Sequence, residues 1–389
     1  MKIAFVLLTY NPDEPAGIER SVGSLSVGLR ELGHQVITIA AGPASATDGP
    51  DLVRLDSIRL PRPMLFDDLP RALADPGPLR DEVSAVLVKH HVDLVCWADA
   101  VVGLGYLAPA PRGVRTALMA HLVRDNHWMH ESLAHKPDAV LAVSSFLVEE
   151  SARAGVDTSG WQVLPNPLPR RGTPPLFGMR EQLRLTGPLR TLARADPVKG
   201  ISGLLRAIPE DFDRPVQVAL ADAGFELWPG MQHDVRHECQ QLAERRPQIE
   251  LLSALPWDEV QDFLADAALA IVPTTWPETF GNVAAEALST GTPVVGFHLG
   301  NLPHLVGGAG SLVEIGPAAE IHHIGAVTSQ SAQPPGAQEG FARLWAATAA
   351  LLSDSDGYHA ASEQAVRQVA GYEPAAVAGA FLRCVGVHD

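Results

Sequence analysis

The sequence predicts an α/β protein built from two doubly wound domains. Three observations carry that expectation. Short β-branched runs alternate with helical patterns along the whole chain. Most of these runs are apolar on both faces, as in parallel strands covered by helices on each side. A strand–loop–helix opening at the N-terminus is followed by a second of the same kind near Leu189. The 389 residues exceed one ordinary domain, since domains run to roughly 100–200 residues.

Taken in order, the strands of the first half are Lys2–Leu8, Gln35–Ala41, Asp93–Trp97, Arg115–Ala120, Ala139–Val143 and Gln162–Leu164. The first helix carries Ile18, Val22, Leu25, Leu29 and Leu32 at helical spacing and stops at Gly33, a left-handed cap. Residues 166–188 are rich in Pro and Gly, hold no periodic element longer than a few residues, and read as a linker. The second half offers Arg190–Ala193, Val216–Ala221, Ile249–Leu252, Leu269–Val272, Pro293–Phe297 and Ser311–Ile315. Ile321–Ala337 is polar and reads as a long surface loop. After a break at Pro374, the end of the chain regains helical spacing. The expected organisation is a first domain over 1–165, a linker over 166–188, a second domain over 189–360, and a C-terminal helical segment, 361–389, returning to the first domain. Two such domains would face each other across a cleft, with ligands at the carboxyl ends of the strands.

Composition excludes several classes. A net charge of −16 argues against a general nucleic-acid binder and a basic membrane-surface protein. The three cysteines, Cys96, Cys239 and Cys384, form no CxxC pair, so buried reduced thiols are expected. The N-terminal apolar run, Ile3–Leu8, is too short for a signal peptide, and no run is long enough to span a bilayer. A soluble cytoplasmic protein follows as the expectation, with no sign of its oligomeric state.

Two windows could carry chemistry. In Thr274–Val306, Glu278 lies in the loop after a strand, and a helix starts near Phe280 or Gly281 and ends at Gly291. Glu286 sits in its second turn. Backbone N–H groups around Gly281, with the helix dipole behind them, suit an anionic or hydroxyl-rich ligand, and a carboxylate accepts hydrogen bonds from sugar hydroxyls. The plainer reading makes Glu278 a helix-terminal charge and Glu286 a solvated one. In Arg190–Ile208, Arg194 ends a strand, Asp196 and Pro197 turn the chain, and Lys199 and Gly200 precede a helix with Ile201, Leu204, Leu205 and Ile208 on its apolar face. Two cations five apart make an anion site, one a fork and the other a point charge. The plainer reading is a surface turn. The chain has only four lysines, however, and no Glu lies beside this one in sequence.

Together the windows resemble retaining glycosyltransferases of family 4, which have the GT-B fold. The resemblance rests on R–x4–K–G at Arg194–Gly200, on E–x7–E at Glu278–Glu286 with Phe280–Gly281 inside it, and on Glu286–Val295 (EALSTGTPVV). Pro15–Arg20, His121 at a strand end, Val140–Ser145 (VLAVSS) and Val163–Pro167 (VLPNP) match further landmarks. The pattern departs at Ala193 and Ala254, where the family has Gly, and at Gly300–His304 (GNLPH), where it has G–G–x–x–E. No sugar is assigned for that reason.

The resemblance implies a UDP- or GDP-linked sugar as donor, with no cofactor and no metal. Arg194 and Lys199 would grip the diphosphate, and Glu286 the ribose hydroxyls. Glu278 and the N–H groups of Thr279, Phe280, Gly281 and Asn282 would hold the sugar. Leu255 would meet the base, Gly17 would leave room for the diphosphate and acceptor, and His121 would contact the sugar near the reacting carbon. Transfer of a hexosyl-type sugar would retain anomeric configuration. Tyr10, His127, Trp128 and His130 are candidates for the acceptor side, beside a plainer reading as packing and surface residues. A small polar acceptor, in secondary-metabolite (antibiotic) biosynthesis, fits the acidic charge and the Ala-, Gly- and Arg-rich composition.

Rival readings are weaker. Asp–x–Asp occurs at Asp211–Asp213 and Asp354–Asp356, but after helical segments and not at a strand end. His322–His323 has no companion ligands. An NAD(P)-dependent oxidoreductase is the main alternative, through Gly103–x–Gly105–x–x–Ala108. Those glycines stand several residues beyond their strand, and the next strand ends at His121 instead of an acid. A nucleotide-sugar epimerase or phosphorylase could share the two-domain plan. A non-catalytic sugar binder would not need all four of Arg194, Lys199, Glu278 and Glu286.

Overall fold

A computed structural model describes residues 1–11, 16–42, 48–65, 67–99, 110–316 and 336–387. These divide into two compact units, one holding residues 1–11, 16–170 and 371–387, the other the described parts of 171–370.

The first unit is built on a seven-stranded parallel sheet. Across it lie Leu52–Arg54, Gln35–Ala41, Lys2–Thr9, Leu94–Ala98, Arg115–Ala120, Ala139–Ala142 and Gln162–Val163. Phe5 pairs with Thr38 on one side and Cys96 on the other. The helix Gly17–Glu31 buries Val22, Leu25 and Leu29 and ends beside Gly33 at φ +85°. It packs on the helix Pro374–Cys384 so closely that a Cβ on Gly28 would fall 2.1 Å from the Pro374 carbonyl oxygen. That last helix puts Val377, Phe381 and Leu382 into the core.

The second unit has a six-stranded parallel sheet, in the order Ile249–Leu252, Val216–Ala221, Leu189–Arg194, Leu269–Val272, Val294–Phe297 and Gly310–Val313. Its core joins Ile201, Leu204, Leu205 and Ile208 to strand residues and to Phe341, Leu344 and Trp345 of the helix Ala337–Ser353. In both sheets the first strand in the chain lies inside, and the strand order reverses beside it. That reversal is the switch point at which doubly wound sheets bind ligands. In the second unit it falls between Leu189–Arg194 and Leu269–Val272. In the first it falls between Lys2–Thr9 and Leu94–Ala98.

Several expectations are corrected. The stretch 166–188 is not without structure: Phe177–Thr186 is a helix. Its anchor is polar. Arg180, 2% exposed, donates to the carbonyl oxygens of Ala265, Ala267 and Thr290 and to Thr292 Oγ1 at 2.8–3.2 Å. Leu176, Phe177, Met179 and Leu185 stay exposed, so apolar periodicity cannot reveal this helix. The boundary at 360 cuts the helix Ser355–Gln368, which belongs wholly to the second unit. The strand Leu52–Arg54 is half-buried and only three residues long, and carries no readable pattern. Cys384 is half-buried, unlike Cys96 and Cys239. Pro15, the Gly103–Ala108 segment, His322–His323 and most of the loop 321–337 lie outside the described residues. No described helix is long and apolar enough to cross a membrane.

Candidate active site

The cation-bearing turn follows the first strand of the second unit. Asp196 caps it, with Oδ1 accepting from the Val198 N–H at 3.1 Å and Oδ2 from Arg194 Nη2 at 3.1 Å. Residues Pro197–Lys199 make one 3₁₀ turn, and Gly200 then takes φ +72° to enter the helix Ile201–Arg206. No side chain fits there, because a Cβ would lie 2.0 Å from the Pro273 carbonyl oxygen. The Val198 carbonyl oxygen accepts from the Thr275 N–H at 2.9 Å. The turn is thus bolted to the residues that follow the neighbouring strand.

That bolt brings Lys199 to Glu278. Nζ donates to Oε1 at 2.6 Å, with the side chains 26% and 20% exposed. No Glu lies beside Lys199 in sequence, and its carboxylate partner comes from 79 residues away. Arg194 is likewise paired, to Asp196. Both cations of this turn are therefore compensated by carboxylates.

Beyond Glu278 the chain turns at Gly281, φ +100°, into the helix Asn282–Ser289, which ends before Gly291 at φ +69°. Phe280 is buried. Thr279 and Asn282 are half-buried. Glu286, in the second turn, is only 3% exposed, so it is not a solvated helix charge. Leu255 is half-buried in the turn after Ile249–Leu252. His304, where the family has Glu, is exposed. Asp354 of one Asp–x–Asp match caps a helix, accepting from the Gly357 N–H at 3.0 Å. Among the described residues no cluster of three or more His, Cys, Asp or Glu could hold a metal.

The first unit gathers polar groups at its own switch point. His121, directly after Arg115–Ala120, is 3% exposed, and its Nε2 meets no hydrogen-bond partner among the described residues. Asp99 follows Leu94–Ala98 in a left-handed conformation, φ +83°, fully buried. It accepts from Arg124 Nε at 2.8 Å, and its own N–H donates to the Met119 carbonyl at 2.7 Å. Sequence reasoning missed Asp99 and Arg124; the backbone strain that singles out Asp99 has no sequence signature. Glu19 holds the residues after the first strand, accepting from Thr9 Oγ1 at 2.6 Å and the Asn11 N–H at 2.7 Å. Gly17 opens the following helix and is exposed. Tyr10 is half-buried against the core, and burial pushes its phenol up. His127 and His130 are exposed on the helix His127–Ala134, and Trp128 is half-buried, with its ring 4.2 Å from that of His127.

Burial pushes the His121 imidazole down from 6.5 to about 4, against a smaller opposing pull from Asp99. The ring is neutral at pH 7 and can accept or donate one hydrogen bond at each nitrogen. Between those two values the unfolded chain binds a proton that the folded chain refuses. Stability therefore falls as pH drops from 6.5 toward 4, by up to about 3 kcal/mol. His121→Gln is expected to flatten that slope in melting curves taken from pH 7 to 4.5. Parallel slopes in variant and parent would contradict the assignment.

The sheet orders and the switch point in each define an α/β protein of two doubly wound units. Comparison with known proteins bears this out. Residues 189–327 match Glycosyl transferases group 1, and residues 15–170 match Glycosyltransferase Family 4. The chain belongs to the family 4 glycosyltransferases and has the GT-B fold of two Rossmann-like domains. It is 25% identical over 378 residues to alpha-maltose-1-phosphate synthase of Mycolicibacterium smegmatis, covering 87% of this chain and 92% of that one. Sucrose-phosphate synthase of Thermosynechococcus elongatus superposes with a TM-score of 0.70 at 18% identity, over 98% of both chains. Anabaena HepE in complex with UDP-glucose superposes with a TM-score of 0.66 at 16% identity, also over 98% of both.

Proposed function

We propose that this glycosyltransferase moves a hexosyl-type sugar from a UDP- or GDP-linked donor to a small polar acceptor, with retention of anomeric configuration and without a metal. The observation that carries the reading is the Lys199–Glu278 contact at the switch point of the second sheet. It joins a diphosphate-compatible cation to a sugar-compatible carboxylate. Two of the similar proteins, alpha-maltose-1-phosphate synthase and sucrose-phosphate synthase, are synthases of sugar phosphates, which supports a small polar acceptor. HepE's complex with UDP-glucose supports a nucleotide-sugar donor. A role in secondary metabolism rests on composition alone.

In this reading the donor diphosphate takes Lys199 Nζ and the Arg194 guanidinium, while sugar hydroxyls replace Lys199 at Glu278. Glu286 accepts from the ribose hydroxyls, and the backbone near Leu255 meets the base. As the anomeric bond breaks, negative charge gathers on the leaving phosphate and positive charge on the ring. Fixed cations stabilise the former without reorganising. The acceptor's nucleophilic atom attacks from the face the phosphate leaves, and the leaving phosphate takes its proton. His121 contacts the sugar, and Gly17 leaves room for the diphosphate and acceptor. Tyr10, His127, Trp128 and His130 are the candidates for acceptor contacts.

A thermal-shift screen in the presence of EDTA tests the reading. UDP or GDP, or their sugars, should raise the melting temperature, since ligand bound only to the folded state stabilises it. Stabilisation by NAD(P) alone, or a nucleotide response that appears only with Mg²⁺ or Mn²⁺, would overturn it.

A further inference from the structure

Where the family pattern has a second glycine, this chain has Asn301, and the structure gives that residue work on the sugar-side loop. Its backbone N–H donates to the Glu278 carbonyl oxygen at 2.7 Å. Its side-chain Nδ2 donates to the Phe280 carbonyl oxygen at 2.9 Å, a buried bond. The neighbouring Gly300, φ +62°, lets the two segments touch: a Cβ there would lie 2.3 Å from the Glu278 carbonyl oxygen and 2.5 Å from its nitrogen. Asn301 itself is 3% exposed, and it starts the helix Leu302–Val306, whose Leu305 N–H donates to the Asn301 carbonyl at 2.9 Å.

A trans peptide holds its carbonyl and its N–H on opposite sides. Fixing the carbonyls of Glu278 and Phe280 toward Asn301 therefore turns the N–H groups of Thr279 and Gly281 the other way. One residue thus sets the direction of two backbone donors that flank the Phe280 peptide, next to the Glu278 carboxylate. Stability does not account for the side chain. Its Oδ1 is buried with no partner among the described residues, and an unsatisfied buried acceptor costs about as much as one neutral hydrogen bond contributes. Glycine would avoid that cost and keep the backbone bond to Glu278. What only the side chain supplies is the hold on Phe280.

We infer that Asn301 is a positioning residue whose side chain, through the Phe280 carbonyl, aims the Gly281 N–H at a hydroxyl of the donor sugar. The inference rests on the donor reading above, and it deepens that reading by separating the sugar from the diphosphate. Lys199 and Arg194 come from a different loop, where their side chains pair with the carboxylates of Glu278 and Asp196.

The test is calorimetric titration of the parent, Asn301→Ala and Asn301→Gly with UDP, GDP, UDP-glucose and GDP-mannose. In both variants the Kd for the bound nucleotide sugar is expected to rise about tenfold relative to the parent. The Kd for the matching nucleoside diphosphate should stay within twofold, and the melting temperature within a few degrees. Asn301→Gly adds no Cβ and keeps the backbone donor, so it supplies the comparison if Asn301→Ala does not fold. Unchanged sugar-nucleotide affinity, or equal weakening of both ligands, overturns the positioning role and leaves the donor reading standing. A parent that binds none of the four ligands overturns both.

Discussion

Lys199→Ala is expected to lower donor turnover by about two to three orders of magnitude while leaving the fold intact. The size follows from the role. A fixed charge beside a leaving group stabilises charge that exists mainly in the transition state, and removing one such group typically costs that much. The fold should survive because Lys199 is a quarter exposed and its turn is held by other bonds. Asp196 caps it, and Thr275 binds the Val198 carbonyl. The variant does leave Glu278 without its 2.6 Å partner. Partly exposed pairs contribute little, so the melting temperature should move by a few degrees at most. Release of nucleoside diphosphate from the donor, followed alongside a melting curve, is the measurement. Turnover within tenfold of the parent, with full folding, would remove Lys199 from the phosphate site.

Gly200→Ala should damage the protein itself. Two effects combine. A side chain at φ +72° is disfavoured, by about 1 kcal/mol. The added Cβ would also lie 2.0 Å from the Pro273 carbonyl oxygen, a backbone atom that moves only if the strand end Leu269–Val272 or the Lys199 turn moves with it. Overpacking of this kind costs about 1–3 kcal/mol more. Gly230→Ala isolates the first effect, since Gly230 has φ +82° with nothing near its absent Cβ. Denaturant melts should place Gly200→Ala well below Gly230→Ala, and only the former should lose nucleotide binding. Equal losses would mean that the close approach at Gly200 relaxes without consequence.

The doubly wound plan was readable because parallel strands buried on both faces write themselves as apolar runs. Every strand expected from such a run lies in one of the two sheets, with ends shifted by a residue or two. The functional windows were readable because glycine, lysine and glutamate stood at telling spacings: Gly200, Gly281 and Gly291 all carry positive φ at the expected turns. What escaped was whatever depends on contacts remote in the chain. The Lys199–Glu278 pair joins two loops, and spacing cannot reveal it. The helix Phe177–Thr186 is tied down by one buried guanidinium in place of an apolar face. Asp99 is marked by its backbone conformation and burial, neither of which leaves a trace in residue type. Asn301 was legible as a departure from a pattern, but its use appeared only with the carbonyls it holds.

The helix Pro374–Cys384 lies in the core of the unit that begins the chain, with Phe381 5.9 Å from Phe5 between ring centroids. The middle of the polypeptide is therefore complete, and able to collapse on its own apolar residues, before the opening portion has received its final helix. All seven strands of the first sheet precede those of the second in the chain, yet the helix that covers Phe5 follows both sheets. The face of the first sheet that Phe381 covers is thus completed only by residues that come after the whole second sheet.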